Sequence, residues 1–177
     1  LPMLKQRAQT DEDSFVRRAA VEELARNFKD DPDTLPWLKQ RAQTDEYSVV
    51  RCAALQELAG NFKDDPDTLP ILKQRAQTDE DLFVRGAAVE ELAKGWKNEP
   101  RMFEFFYDIA VNDSFKRSDH KSIAKYETNP RETALEIILK HYPNHPQTLP
   151  LLRDRAENDP DEQLRKWAKK MIDSNHQ

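Results

Sequence analysis

LPWLKQRAQTDEYSVVRCAALQELAGNFKDDPD, residues 35–67, decides the fold. Thr34 is expected as an N-cap, with Leu35 and Pro36 opening a first helix, A, because proline is tolerated in a first turn whose N–H groups have no helical partner. Helix A ends near Thr44. Asp45 is then expected to cap a second helix, B, that runs to about Phe62. In helix B, Val50, Ala53, Ala54 and Leu58 fall at i, i+3, i+4 and i+8 and make one apolar stripe. The alanines at its centre let a neighbouring helix approach closely. Asp64-Asp65-Pro66-Asp67 breaks the chain before another helix can begin. A single hairpin of this kind cannot bury its own apolar face, so it requires neighbours stacked against it.

The neighbours are present in the sequence. Residues 1–33 read LPMLKQRAQTDEDSFVRRAAVEELARNFKDDPD and residues 69–101 read LPILKQRAQTDEDLFVRGAAVEELAKGWKNEPR, which sets a period of 34 residues. The pattern then loosens. MFEFFYDIAVND (102–113) stands in the place of helix A and NPRETALEIILKHY (129–142) in the place of helix B. A last unit, TLPLLRDRAENDPDEQLRKWAKKM, covers 148–171. Asn129-Pro130 and Asp159-Pro160 put proline after a capping residue, with Glu132 and Glu162 placed for capping boxes. The expected fold is all-α: an α-solenoid of about five two-helix repeats, forming one domain over 1–177. The repeats are 1–33, 34–67, 68–101, 102–147 with an insertion at 114–128, and a C-terminal cap at 148–177.

Composition fits such a stack. Charged residues make up 34% of the chain and apolar ones 37%, which suits thin cores with much solvated surface. The net charge of −5 argues against nucleic acid as a partner, since that needs a clustered cationic surface. No apolar run reaches the roughly 18 residues of a membrane span. Cys52 is the only cysteine, which excludes an internal disulfide and points to a reducing, cytoplasmic setting. The chain opens at Leu1 in the middle of a unit, so it is expected to be a piece of a longer protein.

Motifs that carry chemistry are missing. There is no G-x-x-x-x-G-K-[ST] loop for nucleotide phosphates. His141 and His145 are four apart, but Pro143 and Pro146 break the helix that would align them on a metal. His120 and His176 have no evident partner. Cys52 lacks a sequence-local base to activate it. No catalytic residue, cofactor or metal is expected. The aromatic run Phe103–Tyr107 reads as core rather than as a docking surface. The insertion, with Lys116, Arg117, Lys121 and Lys125, reads equally as a binding loop or a solvated loop.

Comparison of the first three repeats separates two kinds of polar residue. Lys39, Gln40, Arg41, Gln43 and Thr44 of helix A recur unchanged in the string KQRAQTDE and read as scaffold, with Ala8, Ala42 and Ala76 packing inward. Differences concentrate on helix B: Ser14/Ser48/Leu82, Arg18/Cys52/Gly86, Glu22/Gln56/Glu90 and Arg26/Gly60/Lys94, with Asp13/Tyr47/Asp81 alongside. At i, i+4, i+8 and i+12 they form a stripe. Position 52 lies about 200° around the helix from Val50, opposite the core. Arg18, Glu22, Tyr47, Ser48, Cys52, Gln56, Leu82, Gly86 and Glu90 are therefore the candidate residues for holding a protein or peptide partner, a neutral centre with a charged rim.

The arrangement D-x(5)-V-R-x-A-A resembles HEAT repeats. It occurs as Asp11 with Arg17, Asp45 with Arg51 and Asp79 with Arg85, and the pair returns as Asp159 and Arg165. The resemblance implies that these residues form a structural ladder between successive turns, and that the B helices line a concave surface. Arg131 continues the series, but the insertion separates it from Asp113, so the ladder is expected to be perturbed there. The phrases WKNEP, DTLPILKQRAQTDED and HPQTLPLLRDRAENDPDEQLRKWAKK resemble the C-terminal HEAT arrays of bacterial, chiefly cyanobacterial, NACHT-type STAND NTPases. That resemblance implies a noncatalytic sensor array with an NTPase domain upstream in the same polypeptide. The alternative is a HEAT-like enzyme subunit such as a phycobilin lyase, which would need a bound tetrapyrrole. A third is a spacer closed by the polar last helix.

Overall fold

The computed structural model describes residues 2–174, without the side chains of Pro2, Ala8, Gln9 and Lys121. The readings made of Ala8, Lys121 and His176 thus lie outside the described residues. Every regular element described is a helix. The chain divides into two compact units, Leu1–Trp96 and Lys97–Gln177.

The N-terminal unit holds α1 (Pro2–Thr10), α2 (Ser14–Asn27), α3 (Thr34–Thr44), α4 (Ser48–Asn61), α5 (Thr68–Thr78) and α6 (Leu82–Trp96). They pack as three antiparallel hairpins, α1 with α2, α3 with α4 and α5 with α6. The B helices α2, α4 and α6 also lie closely side by side, whereas the A helices α3 and α5 touch at few points. The B helices carry buried alanines, Ala53, Ala54 and Ala88, whose small side chains let neighbouring helices approach closely. The B row is therefore the crowded side of this unit. Leu38, Ala42, Val50, Leu55 and Leu58 are fully buried, as are their counterparts Leu72, Ala76, Val84, Val89 and Leu92. This is an α-solenoid of stacked hairpins.

The C-terminal unit holds α7 (Met102–Asn112), α8 (Lys121–Ala124), α9 (Pro130–His141), α10 (Thr148–Asn158) and α11 (Glu162–Ser174). α7 packs on α9 and α10 on α11. Phe103 and Phe106 are buried, the first stacked on His145 with ring centroids 3.4 Å apart and edge-on to Tyr142. Phe103 and Phe106 of the aromatic run are core, while Phe105 and Tyr107 are half-buried.

Three cap assignments change, those of Thr34, Asp45 and Asp159; the last closes α10, and α11 begins only at Glu162. Thr34 is not an N-cap but the first residue of α3, and it is buried. At its counterparts the hydroxyls of Thr68 and Thr148 donate to the carbonyls of Phe62 (2.8 Å) and Tyr142 (2.7 Å) that end the preceding B helix, a bond the Thr34 hydroxyl does not make among the described residues. Asp45 closes α3, and Tyr47 occupies the N-cap of α4; the Asp45 carboxylate takes the Tyr47 N–H at 3.0 Å and so turns the chain without entering the helix. Asn129 and Pro130 cap α9 as the residues require.

Candidate functional site

The ladder comes first, because it sets the register of everything around it. Arg51, almost wholly buried, donates from Nε and Nη2 to both oxygens of Asp79 at 3.0 and 2.8 Å. Its Nη1 donates to the carbonyls of Asp45 (2.8 Å) and Glu46 (3.3 Å). Arg51 thus binds the backbone of its own turn and the carboxylate of the next repeat, rather than the carboxylate of its own. Arg17 reaches Asp45 at 3.5 Å and Glu46 at 2.7 Å, and Arg85 holds the carbonyls of Asp79 and Glu80. Such partners are the condition for tolerating buried charges at all.

The insertion does not perturb the ladder, contrary to the expectation from its length. Arg131 grips both oxygens of Asp159 at 2.9 and 3.0 Å. Its Nη1 takes the carbonyls of Asp113 (2.7 Å) and Phe115 (3.1 Å), as Arg51 takes those of Asp45 and Glu46. The chain leaves after Phe115, which is itself buried, and returns at Asn129. The excursion is strapped down. Arg117 donates to both oxygens of Asp161, at 3.0 and 2.6 Å, and from Nη1 to the carbonyls of Ala124 and Glu127. Asn129 adds a bond to Asp161 at 3.0 Å. A solvated loop would have none of these.

The constancy of KQRAQTDE has a bond behind most letters. Lys39 pairs with Asp65 (2.6 Å) and Asp67 (2.8 Å), tying helix A to the Asp-Asp-Pro-Asp break, and Lys5 does the same with Asp31 and Asp33. Arg41 and Arg75 brace the ladder carboxylates Asp45 and Asp79 from within their own repeats, at 3.3 and 3.4 Å. Thr44 and Thr78 donate to carbonyls one turn back. The string is scaffold.

The face of the B helices turned away from the core is built differently. Arg18, Gln56 and Glu90 are exposed; Glu22, Ser48, Cys52, Leu82 and Gly86 are half-buried. Burial, with Asp81 and Asp79 nearby, pushes the Cys52 thiol up to about 11, so it is no nucleophile at neutral pH. Glu22 is tied to Arg18 at 2.8 Å. Burial pushes the carboxyl of Glu57 upward, against the attraction of Arg26. Tyr47 is set apart from the rest. Its ring carries the Arg17 guanidinium 4.9 Å above it and its hydroxyl donates to the carbonyl of Glu12, so it serves the joint between the first two turns.

Sequence reading missed the largest feature of this face. Phe15 is 71% exposed and Phe83 is 54% exposed, at the same place in their repeats, with half-buried Val49 between them. Each lies three residues before the Arg18/Cys52/Gly86 position, and so on the same stripe. The signal was available: Val49 precedes the core residue Val50 by about 100° and falls outside the buried arc. Around Gly60 and Gly86 the space is open, with no atom within 4 Å of where a Cβ would stand.

Among the described residues, no group of three or more His, Cys, Asp or Glu side chains could hold a metal ion, and no helix is long and apolar enough to cross a membrane. Residues 1–93 match the family model of HEAT repeats. No match was found among curated proteins or among solved structures.

Proposed function

This chain belongs to the HEAT-repeat family, and from that premise we propose that it is a noncatalytic scaffold that captures a protein or peptide partner on the B-helix face of its N-terminal unit. HEAT repeats in general mediate protein–protein interaction. The observation that carries the placement is a row of apolar side chains across three repeats, exposed Phe15 and Phe83 with half-buried Val49 between them, beside Leu82 and the open backbone of Gly86. Side chains of this size are seldom left in water in file, and aromatic residues that become buried dominate interface energetics. Arg18, Glu22, Gln56 and Glu90 form the polar rim that such an interface needs. Tyr47 belongs to the supporting joint and Cys52 to the neutral floor.

The finer role we propose is the sensor array of a NACHT- or STAND-type NTPase, with the switch upstream in the same cytoplasmic polypeptide. Its support is the resemblance of the phrases around residues 96–100 and 145–170 to such arrays. Affinity capture from the native host tests the docking face. The chain with Phe15→Asp and Phe83→Asp should lose a partner that the unaltered chain retains, while helicity and melting temperature stay the same. A partner captured equally by both would move the binding site elsewhere.

A further inference from the structure

Among the accessible side chains of α2, α4 and α6, carboxylates outnumber cations. Glu22, Glu23, Glu57, Glu90 and Glu91 stand against Arg18, Arg26 and Lys94. Those cations are already engaged within the face. Arg18 pairs with Glu22 at 2.8 Å and Lys94 with Glu91 at 2.7 Å, while Arg26 lies 3.9 Å from both Glu22 and Glu57. Exposed Glu90 is left with the field of that same lysine. Half-buried Glu57 is held above its ordinary value by burial and by Glu22, even with Arg26 beside it. On the other side of the phenylalanines, Asp81 accepts the Phe83 N–H at 2.8 Å, and its charge reaches Cys52. The row of Phe15, Val49 and Phe83 therefore runs between negative charges.

The shape of the row selects the form of the partner. Packed helices stand about 8–10 Å apart, so Phe15 and Phe83, on the first and third of three adjacent helices, span about 16–20 Å. A helix covers that length in about 11–13 residues. An apolar stripe at i, i+4, i+7 and i+11 would lie along the row, and the residues flanking the stripe would face the carboxylates on either side. An extended strand alternates its side chains between two faces, so cations next to its contact residues would point away from this surface. One turn along from the row, Cys52, Gly86 and Ala87 are small, and a Gly86 Cβ would stand in open space beyond the helix's own backbone. A partner's backbone can approach closely there.

We propose, resting on the docking face argued above, that its occupant is a cationic amphipathic helix of a protein partner. The apolar stripe of that helix lies on Phe15, Val49 and Phe83, and its lysines or arginines meet Glu57, Glu90 and Asp81. A cation set between Glu22 and Glu57 offsets their mutual repulsion. Pairing of this kind speeds encounter and weakens as salt is raised.

Fluorescence anisotropy tests this, with three labelled peptides of about 16 residues titrated by the full chain. The first carries leucines at i, i+4, i+7 and i+11 flanked by lysines. The second has glutamate for every lysine, and the third keeps the first's composition in scrambled order. The first should bind at least about tenfold tighter than either of the others and should weaken as salt is raised. Glu57→Gln with Glu90→Lys should weaken it at least about tenfold without lowering the melting temperature, because Glu57→Gln removes a repelled charge. Phe15→Ala with Phe83→Ala should weaken it by at least about as much. A lysine peptide that binds no tighter than the glutamate peptide, or that ignores the charge variant, overturns the proposal. If the phenylalanine variant still releases the bound peptide, docking on the row survives that result. Binding that ignores the phenylalanine variant overturns both readings. Binding of none of the three overturns the cationic helix and leaves the face itself to the capture experiment. Self-association abolished by the phenylalanine variant would make a second copy the occupant and overturn the proposal as well.

Discussion

Cys52 shows how neighbours decide the chemistry of a single side chain. Burial, reinforced by Asp81 and Asp79, raises its thiol to about 11, against roughly 8.5 for an unperturbed cysteine. At pH 8 the folded chain then holds roughly two-hundredfold less thiolate than the unfolded one. Labelling by a disulfide reagent should be slower by about that factor in buffer than in urea, and a burst of labelling in buffer would contradict the buried setting. Glu132 of α9 is raised too, by burial first and then by Glu136. A carboxylate held above its unfolded value of about 4.3 weakens the fold at any pH where it is ionised in the folded state. Glu132→Gln should therefore stabilise the chain at pH 7, by about 0.5 kcal/mol. The gain should fade as the pH falls through the raised value, because the acid is then neutral as well. Urea midpoints at pH 7 and pH 4 read the difference directly.

At the scale of the helix, Gly86 interrupts α6 where a Cβ would stand in open space beyond the helix's own backbone. Gly86→Ala should stabilise by about 1 kcal/mol through backbone entropy alone. If the open backbone there is where a partner sits, the same change should weaken capture, so thermal melting and binding should move in opposite directions. Much at this scale was legible in the sequence. The end of α3, the Asn129-Pro130 cap and the buried alanines follow from periodicity and turn chemistry, which are local. What was not legible is non-local. That Arg51 serves Asp79 and not the carboxylate of Asp45 depends on how two repeats stack, and 28 residues separate the partners. The insertion looked disruptive because its length is visible in the sequence while its path is not. Phe115 and Arg117 rejoin it to the ladder through contacts that no spacing announces. Phe15, Val49 and Phe83 escaped for the opposite reason: their apolar character was legible, but their exposure depends on the rotation of the B helix.

For the molecule as a whole, the charges that hold it are few, buried and paired, while the net charge of −5 lies in solvated carboxylates. Acid should therefore act through a small number of groups, and Asp161 is the clearest of them. Burial raises its carboxyl, but the hydrogen bonds from Arg117 and Asn129 and the N–H of Gln163 outweigh that and hold it below the usual aspartate range. Because its folded value is depressed, the stability it supplies is fully present above the unfolded value of about 3.9, and it is lost as the pH falls through the depressed one. Arg117→Met removes the partner and leaves the carboxylate buried, which should cost about 3–5 kcal/mol at neutral pH. It also frees the carbonyls of Ala124 and Glu127, so the insertion should come loose with the clamp. Hydrogen exchange at neutral pH should then speed up through α8 and the start of α11, while the core of α4 is unaffected. At a pH low enough to protonate Asp161 the penalty should shrink, because a neutral acid no longer needs the guanidinium. A penalty equal at both pH values would mean that Arg117 holds the strap through its carbonyl bonds alone, and that the ion pair contributes nothing.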